Sequence, residues 1–337
     1  MKKRYCCIAV VLFAGLLSAE DNIHHRSGTT AFPFLNLGYD SRAIAMGGAS
    51  VAMPNNIYGF LSNPASLGFI EKHQVMGGYE PVMIGVRGNA FAYAMPVGNM
   101  GVIGVNMLLT LYGSIQEVDA NKHITGNEWK PYSVAGQVAW SKTVLNDLSV
   151  GVIAKGIYDR LGSTDGEYYA ADGYAFDLGF QYRLLNSRLI LGSAIQNLGF
   201  VRDGYSEETD GLLLPFAAVI GISYNLKNLP RLRLALDAAQ PYDDYLNIHT
   251  GAEIDVYKES FFIRGGFRFS SRDIEEKIRE FVGKSEEEYL KTNWSAVNLG
   301  IGVNAPISSV DVAVDAAFQV RTHGLSPGFS LSSILSF

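Results

Sequence analysis

Apolar and polar residues alternate with period two along most of the chain from about residue 74 to its last residue, and this restricts the fold more than any other feature. In YSVAGQVAWS, Tyr132, Val134, Val138 and Trp140 share one face, and Ser133, Gln137 and Ser141 the other. Tyr174, Phe176, Leu178, Phe180 and Tyr182 likewise oppose Asp177, Gln181 and Arg183. Period two places successive side chains on opposite faces of a strand. The pattern persists to the end, where Phe329, Leu331, Leu335 and Phe337 alternate with Ser330, Ser332 and Ser336. Chain ends usually fray in water, so a last strand of this kind must be held by a neighbour.

Such strands suit either a soluble β-sandwich, apolar face inward, or a membrane barrel, apolar face outward against lipid. The polar faces favour the barrel. They mix Gly, Ala and Ser with isolated charges and lack the Lys, Glu and Thr density of a solvated exterior. Aromatic residues near strand ends, including Trp140, Tyr158, Tyr182, Tyr224 and Trp294, suit interfacial girdles. The expected fold is therefore all-β, a transmembrane antiparallel barrel in the bacterial outer membrane, in contact with its lipid.

About 14 strands are expected, at 74–83, 89–96, 101–111, 131–142, 148–159, 173–184, 188–198, 214–225, 231–240, 246–257, 260–269, 294–304, 309–320 and 328–337. An even number returns both ends to one side, the periplasmic one. The short connections at 96–99, 143–147, 184–187, 257–260 and 304–308 then fall on that side, and the long loops outside the cell.

The first residues, MKKRYCCIAVVLFAGLLSAED, have the three parts of a secretory signal: a basic start, an apolar run too short to span a bilayer, and small residues before an expected cut after Ala19. Both cysteines, Cys6 and Cys7, lie within it, leaving the remainder no thiol for a disulfide or metal site. The whole chain carries a formal charge of -6, and losing Lys2, Lys3 and Arg4 makes it more acidic, which argues against nucleic acid as a partner. The chain thus divides into a signal peptide (1–19), an N-terminal segment (20–70) and a barrel (71–337).

Residues 31–70 do not alternate. They are rich in Gly, Ala, Asn and Pro, with short helical potential at 55–62, and their apolar groups, among them Phe34, Leu35, Met46 and Phe60, need burial. A periplasmic linker would be more polar. A plug in the lumen is the expected arrangement, since small inward residues on the strands leave room for it.

FLNLGYDSRAIAMGGASVA, followed by NPASLG, resembles the N-terminal signature of the PorV/PorQ family, a branch of the FadL-like outer-membrane proteins. AIQNLGF (194–200), LALDAAQPYDDYLNIHTGAEI (234–254), FFIRGGFRF (261–269) and the Phe-terminated last strand extend the resemblance over nearly the whole chain after the signal. It implies a barrel of 14 strands with Asn63, Pro64 and Ala65 in the plug, in a non-catalytic component of type IX protein secretion that carries or anchors secreted proteins and surface-attachment subunits. The wider FadL-like group implies an alternative, a channel taking up hydrophobic small molecules. Uptake requires an apolar pocket of several hundred cubic ångströms, which only plug residues could supply, because inward strand residues are small or charged.

No catalytic constellation is evident. GLSPG (324–328) matches a nucleophile-elbow pattern, but a strand rather than a helix follows Ser326. GKS (283–285) lacks the glycine of a phosphate loop, since Ile278 stands there. His24 and His25 have no zinc-ligand spacing around them, so no metal or other cofactor is expected. Inward charges are more informative. A tight turn at 257–260 would set Glu253 opposite Arg264 and His249 opposite Arg268; nearby strands add Asp237, Asp311 and Asp315, and another hairpin Lys155 and Asp177. Charges inside a barrel must pair or meet water. They either fix the plug to the wall or line a polar path. Residues 271–292 read as helical, with Ser271 and Ser285 as caps, and strand parity places this insertion outside the cell as a lid or partner surface.

Overall fold

The computed structural model describes residues 24, 26–54, 56–118, 123–164, 167–206, 209–271, 297–320 and 327–337. The strands are β1 (Gln74–Met83), β2 (Val86–Pro96), β3 (Val102–Leu111), β4 (Ile115–Val118), β5 (Ile124–Trp129), β6 (Tyr132–Leu145), β7 (Leu148–Thr164), β8 (Glu167–Leu184), β9 (Leu189–Asp203), β10 (Ala217–Asn225), β11 (Leu232–Pro241), β12 (Asn247–Tyr257), β13 (Phe261–Ser270), β14 (Val297–Ile307), β15 (Val310–Gln319) and β16 (Gly328–Ser336). All but β4 and β5 form one closed antiparallel barrel of 14 strands, and β4 and β5 pair as a separate ribbon in the connection between β3 and β6. The signal-like start lies outside the described residues, as do Trp294, Ser326 and the helical insertion apart from Ser271.

Burial runs opposite to that of a soluble protein. Phe91, Phe176, Phe180, Leu198 and Leu299 are exposed, whereas Lys155, Asp177, Glu253, Arg264 and Asp315 are buried. A continuous apolar exterior around a charged interior is stable only where lipid is the outer solvent. The chain is therefore an outer-membrane barrel. Trp140, Tyr182 and Tyr224 lie toward the terminal side, Tyr158 and Tyr174 toward the other.

The final strand is held on both flanks. β16 pairs with β15 and with β1, where Gln74 faces Ser336 and Tyr79 faces Leu331. Beyond the last ladder pair, His73 and Phe337 exchange backbone hydrogen bonds of 3.1 and 3.0 Å. Their rings stack with centroids 5.7 Å apart, and His73 Nδ1 lies 2.7 Å from the Tyr93 hydroxyl.

Several strand boundaries differ from expectation. The expected loop 160–172 is a continuation of the β7–β8 hairpin, with Arg160 paired to Ala170 and Gly162 to Tyr169. Thr, Tyr and Ser support an extended ladder as readily as a loop, so polarity alone misled. β1 and β2 are joined by Ile84 and Gly85 alone, and Gly85 supplies the positive φ (82°) of the tight turn. Connections on the far side are thus not uniformly long, and the terminal side includes the longer link 226–231. β10 begins at Ala217 rather than 214, because residues 212–214 hydrogen-bond to the outer end of β9 instead.

Residues 31–70 pack against the inner wall. A 3-10 turn (Pro33–Asn36), helix α1 (Ser41–Ala45) and two further 3-10 turns (Ile57–Phe60 and Pro64–Phe69) carry them. Phe32, Phe34, Ile57, Tyr58, Phe60 and Leu67 form one buried cluster with wall residues such as Ala90, Ala92, Ala94, Ala135, Ala139 and Ala175. Small inward side chains make this approach possible. A Cβ on Gly151 would lie 2.5 Å from the Pro64 carbonyl carbon, and one on Gly251 2.6 Å from the Met46 carbonyl oxygen.

Candidate functional site

Two sites are built between this segment and the wall. Nearer the terminal side, Arg42 of α1 donates from Nε and Nη2 to the two oxygens of Glu253, at 2.8 and 2.7 Å. Arg264 donates from Nε to the same carboxylate (2.7 Å) and from Nη1 to Asp315 (2.5 Å). Register explains the second pair, since Glu253 faces Arg264 directly across β12 and β13. The Tyr58 hydroxyl then reaches Ser332 Oγ at 2.7 Å and Asp315 at 3.3 Å, and Ser332 Oγ also accepts from Ser41 N at 3.2 Å. Each carboxylate thus has a guanidinium partner in a place where an unpaired charge would be costly.

The N-cap of α1 is Asp40, which accepts from Arg42 N. Burial and the nearby Asp315 push its carboxyl up to about 7, with burial the larger cause and the helix amides opposing it.

Asn63, the residue before Pro64, is fully buried and uses most of its amide. Nδ2 donates to Val51 O (2.8 Å) and Phe180 O (3.1 Å), while Oδ1 accepts from Ala65 N (3.0 Å) as an N-cap. Pro64 follows at the first position of the turn, where its missing N–H costs nothing. Asn-Pro-Ala therefore ties two parts of the segment to β8.

The QNLG element has a separate structural basis. Asn197 has φ 56°, and residues 196 and 197 together oppose Asp177, which makes a bulge in the β8–β9 ladder. Lys155 Nζ fills it, 2.8 Å from Asp177 and 2.7 Å from Asn197 Oδ1. Gln196 Nε2 meanwhile donates to Ser62 O at 2.6 Å, beside the Asn63 turn.

On the far side of the segment lies a cavity of about 650 Å³. Leu35, Leu37, Ile44 and Leu61 of the segment and Val82 and Val219 of the wall supply apolar lining. Five carboxylates also line it, from Asp40, Glu80, Asp237, Asp243 and Asp244, with Arg268 as the one guanidinium among the described residues. Asp237 Oδ2 receives the amides of Ser50 and Val51 at 2.6 and 2.9 Å. His249 stands directly across from Asp237 and from Arg268 in the ladders on its two sides.

The residues anticipated from sequence thus divide. Glu253, Arg264 and Asp315 form the anchoring network, whereas Asp237, His249 and Arg268 line the cavity. Asp311 joins neither group; it lies at the terminal-side rim, exposed and paired with Lys72. Arg42 and Tyr58 were missed, although residues 31–70 contain just two charges, Asp40 and Arg42. A cation in so uncharged a segment was the available signal.

No family model and no curated protein matches the chain. Solved structures do resemble it. The Pseudomonas putida toluene transporter TodX superimposes with TM-score 0.56 at 14% identity, over 89% of this chain and 97% of that one. The Ralstonia pickettii toluene transporter TbuX gives the same values. The monoaromatic hydrocarbon channel CymD also gives 0.56 at 14%, over 91% of this chain and 99% of its own. The property shared with these outer-membrane transporters and channels is the fold.

Proposed function

We propose that this chain is a non-catalytic outer-membrane channel for hydrophobic or amphipathic small molecules, in which residues 31–70 form a plug and the cavity above it receives the compound from outside. The cavity carries this reading. Its volume of about 650 Å³ lies within the range of small-molecule sites, and much of its apolar lining comes from the plug. The fold shared with hydrocarbon channels supports the same assignment.

A second reading, a PorV/PorQ-like component of type IX secretion that carries secreted proteins or surface-attachment subunits, is favoured by one observation. Asn63-Pro64-Ala65 and Gln196–Gly199, two specific parts of that resemblance, meet through the Gln196–Ser62 hydrogen bond. The deciding experiment is affinity purification of the tagged barrel from gently solubilised outer membranes, with mass spectrometry of proteins and extracted small molecules. A stoichiometric hydrophobic compound without protein partners supports the channel. Secreted proteins or attachment subunits without such a compound would replace it with the secretion component.

A further inference from the structure

The N-terminal segment changes character at Phe32. From there inward it is fixed. Phe32 and Phe34 are buried in the apolar cluster, and a Cβ on Gly173 of β8 would lie 3.0 Å from the Phe32 ring. Phe32 also has φ 56°, a left-handed backbone that a bulky residue keeps only where its packing holds it. Residues 26–29, on the other side of this bend, are exposed. They are attached by surface contacts. The Arg26 guanidinium lies 4.5 Å from the centre of the Tyr242 ring, Ser27 Oγ donates to Asp243 O at 3.2 Å, and Thr30 Oγ1 donates to Asp243 Oδ2. The His24 ring meets Tyr245 edge-on, with centroids 5.2 Å apart.

Tyr242, Asp243 and Tyr245 belong to the connection from β11 to β12, which strand parity places outside the cell. That connection is braced independently. Gln240 Nε2 donates to Asp244 O at 3.1 Å, Asn247 Nδ2 to Asp244 Oδ2 at 3.3 Å, and Tyr242 N to Phe216 O at 2.8 Å. Ser27 and Gly28 line the cavity as well, beside Pro241, Asp243 and Asp244. A stretch that faces solvent on one side and the cavity on the other lies across its mouth.

We propose that residues 26–31 are an outer strap over the cavity, latched to the 242–246 connection, and that the cavity opens to the exterior only while the strap is off its latch. Exposed polar contacts exchange readily with water and contribute little net stability, so such a stretch opens more easily than the buried cluster beside it. Release therefore leaves the plug seated. The use of this strap to admit a ligand rests on the cavity being the ligand-binding part of a channel.

Thiol labelling tests the strap without any ligand. The cysteines of the chain stand at positions 6 and 7, so a thiol introduced into the barrel has no neighbour of its kind. Val219→Cys reports on the cavity wall, and Ser149→Cys on the wall beneath the inner turn, where Gly68 lies against Ser149 Oγ. Each is treated with N-ethylmaleimide, small and neutral, in the purified full chain in neutral detergent, and the rate is followed by mass spectrometry. In the parent background Val219→Cys should react slowly, in proportion to the time the strap is open. Arg26→Ala/Thr30→Val should speed it by about tenfold, as loss of one cation–π contact and one hydrogen bond requires. Arg26→Lys/Thr30→Ser keeps a cation and a hydroxyl and should stay near the parent rate. Ser149→Cys should react alike in all three backgrounds. Equal rates at Val219→Cys in the parent and Arg26→Ala/Thr30→Val backgrounds would mean that residues 26–31 do not cover the mouth. A matching rise at Ser149→Cys would mean that they hold the whole segment. Either result overturns the strap and leaves the channel reading to the affinity purification.

Discussion

At the scale of single residues, the inner segment depends on polar groups with no spare partners. Asn63 is the clearest case. Asparagine supplies two N–H donors to carbonyls and one acceptor to an amide, and aspartate has the same shape without the donors. Asn63→Asp would set a carboxylate against the Val51 and Phe180 carbonyls at a fully buried position, a change costing at least about 3 kcal/mol. Limited proteolysis should then cut residues 31–70 in the variant while the barrel stays intact; unchanged protection would remove Asn63 from its tethering role. Asp40 gives a pH-dependent counterpart. Burial raises its carboxyl to about 7 from the ordinary 3.8, so the folded form binds the extra proton between those values. Stability from this group is therefore full below the lower value and lost as pH rises through the upper one. Hydrogen exchange of the α1 amides should be slower at pH 5 than at pH 8 after correction for intrinsic rates, and Asp40→Asn should remove that part of the difference.

At the scale of elements, the wall strands have one face made for lipid and one for the segment, and matched glycines separate the two. Gly136 on β6 has nothing within 4 Å of where a Cβ would stand, whereas a Cβ on Gly151 of β7 would press on Pro64. Gly136→Val should fold and retain the segment. Gly151→Val should displace the Asn63–Phe69 region or destabilise the protein by about 1–3 kcal/mol, seen as a lower melting temperature and new proteolytic sites between 60 and 70. Equal behaviour of the two variants would mean that the close approach at Gly151 does not constrain the segment. The pair also explains what was legible in the sequence. Alternation identified the strands, their faces and the even count because side-chain period is local. It could not set the length of the β7–β8 hairpin, where polar ladder residues look like loop residues. The Glu253–Arg264 pair was legible because register follows from one turn. Arg42 completes that site from 211 positions away in the chain, and no local periodicity encodes such a contact. Asp311 illustrates the converse. It has the same inward parity as Asp315 but lies at the rim, where its partner is the exposed Lys72 rather than a lumen residue.

At the scale of the whole molecule, a barrel of 14 strands and an inner segment of largely uncharged residues are joined by few ionic contacts. Arg264 lies at the centre of these, bonded to Glu253, which holds Arg42, and to Asp315, which holds Tyr58. Arg264→Ala leaves Asp315 without a cation and Glu253 with one instead of two. Breaking a buried pair from one side costs about 3–5 kcal/mol, enough to loosen α1 from β12 to β16 while the ladders that close the wall remain. Single-channel recordings in planar bilayers should therefore show higher conductance for Arg264→Ala than for the parent chain. The exposed pair of Lys72 and Asp311 is the control. Asp311→Asn removes a carboxylate of the same strand, but exposed ion pairs contribute about 0–1 kcal/mol, so its conductance should match the parent. If Arg264→Ala also matched the parent, the network would serve the wall alone, and the seating of the segment would rest on its apolar cluster and the Asn63 tether.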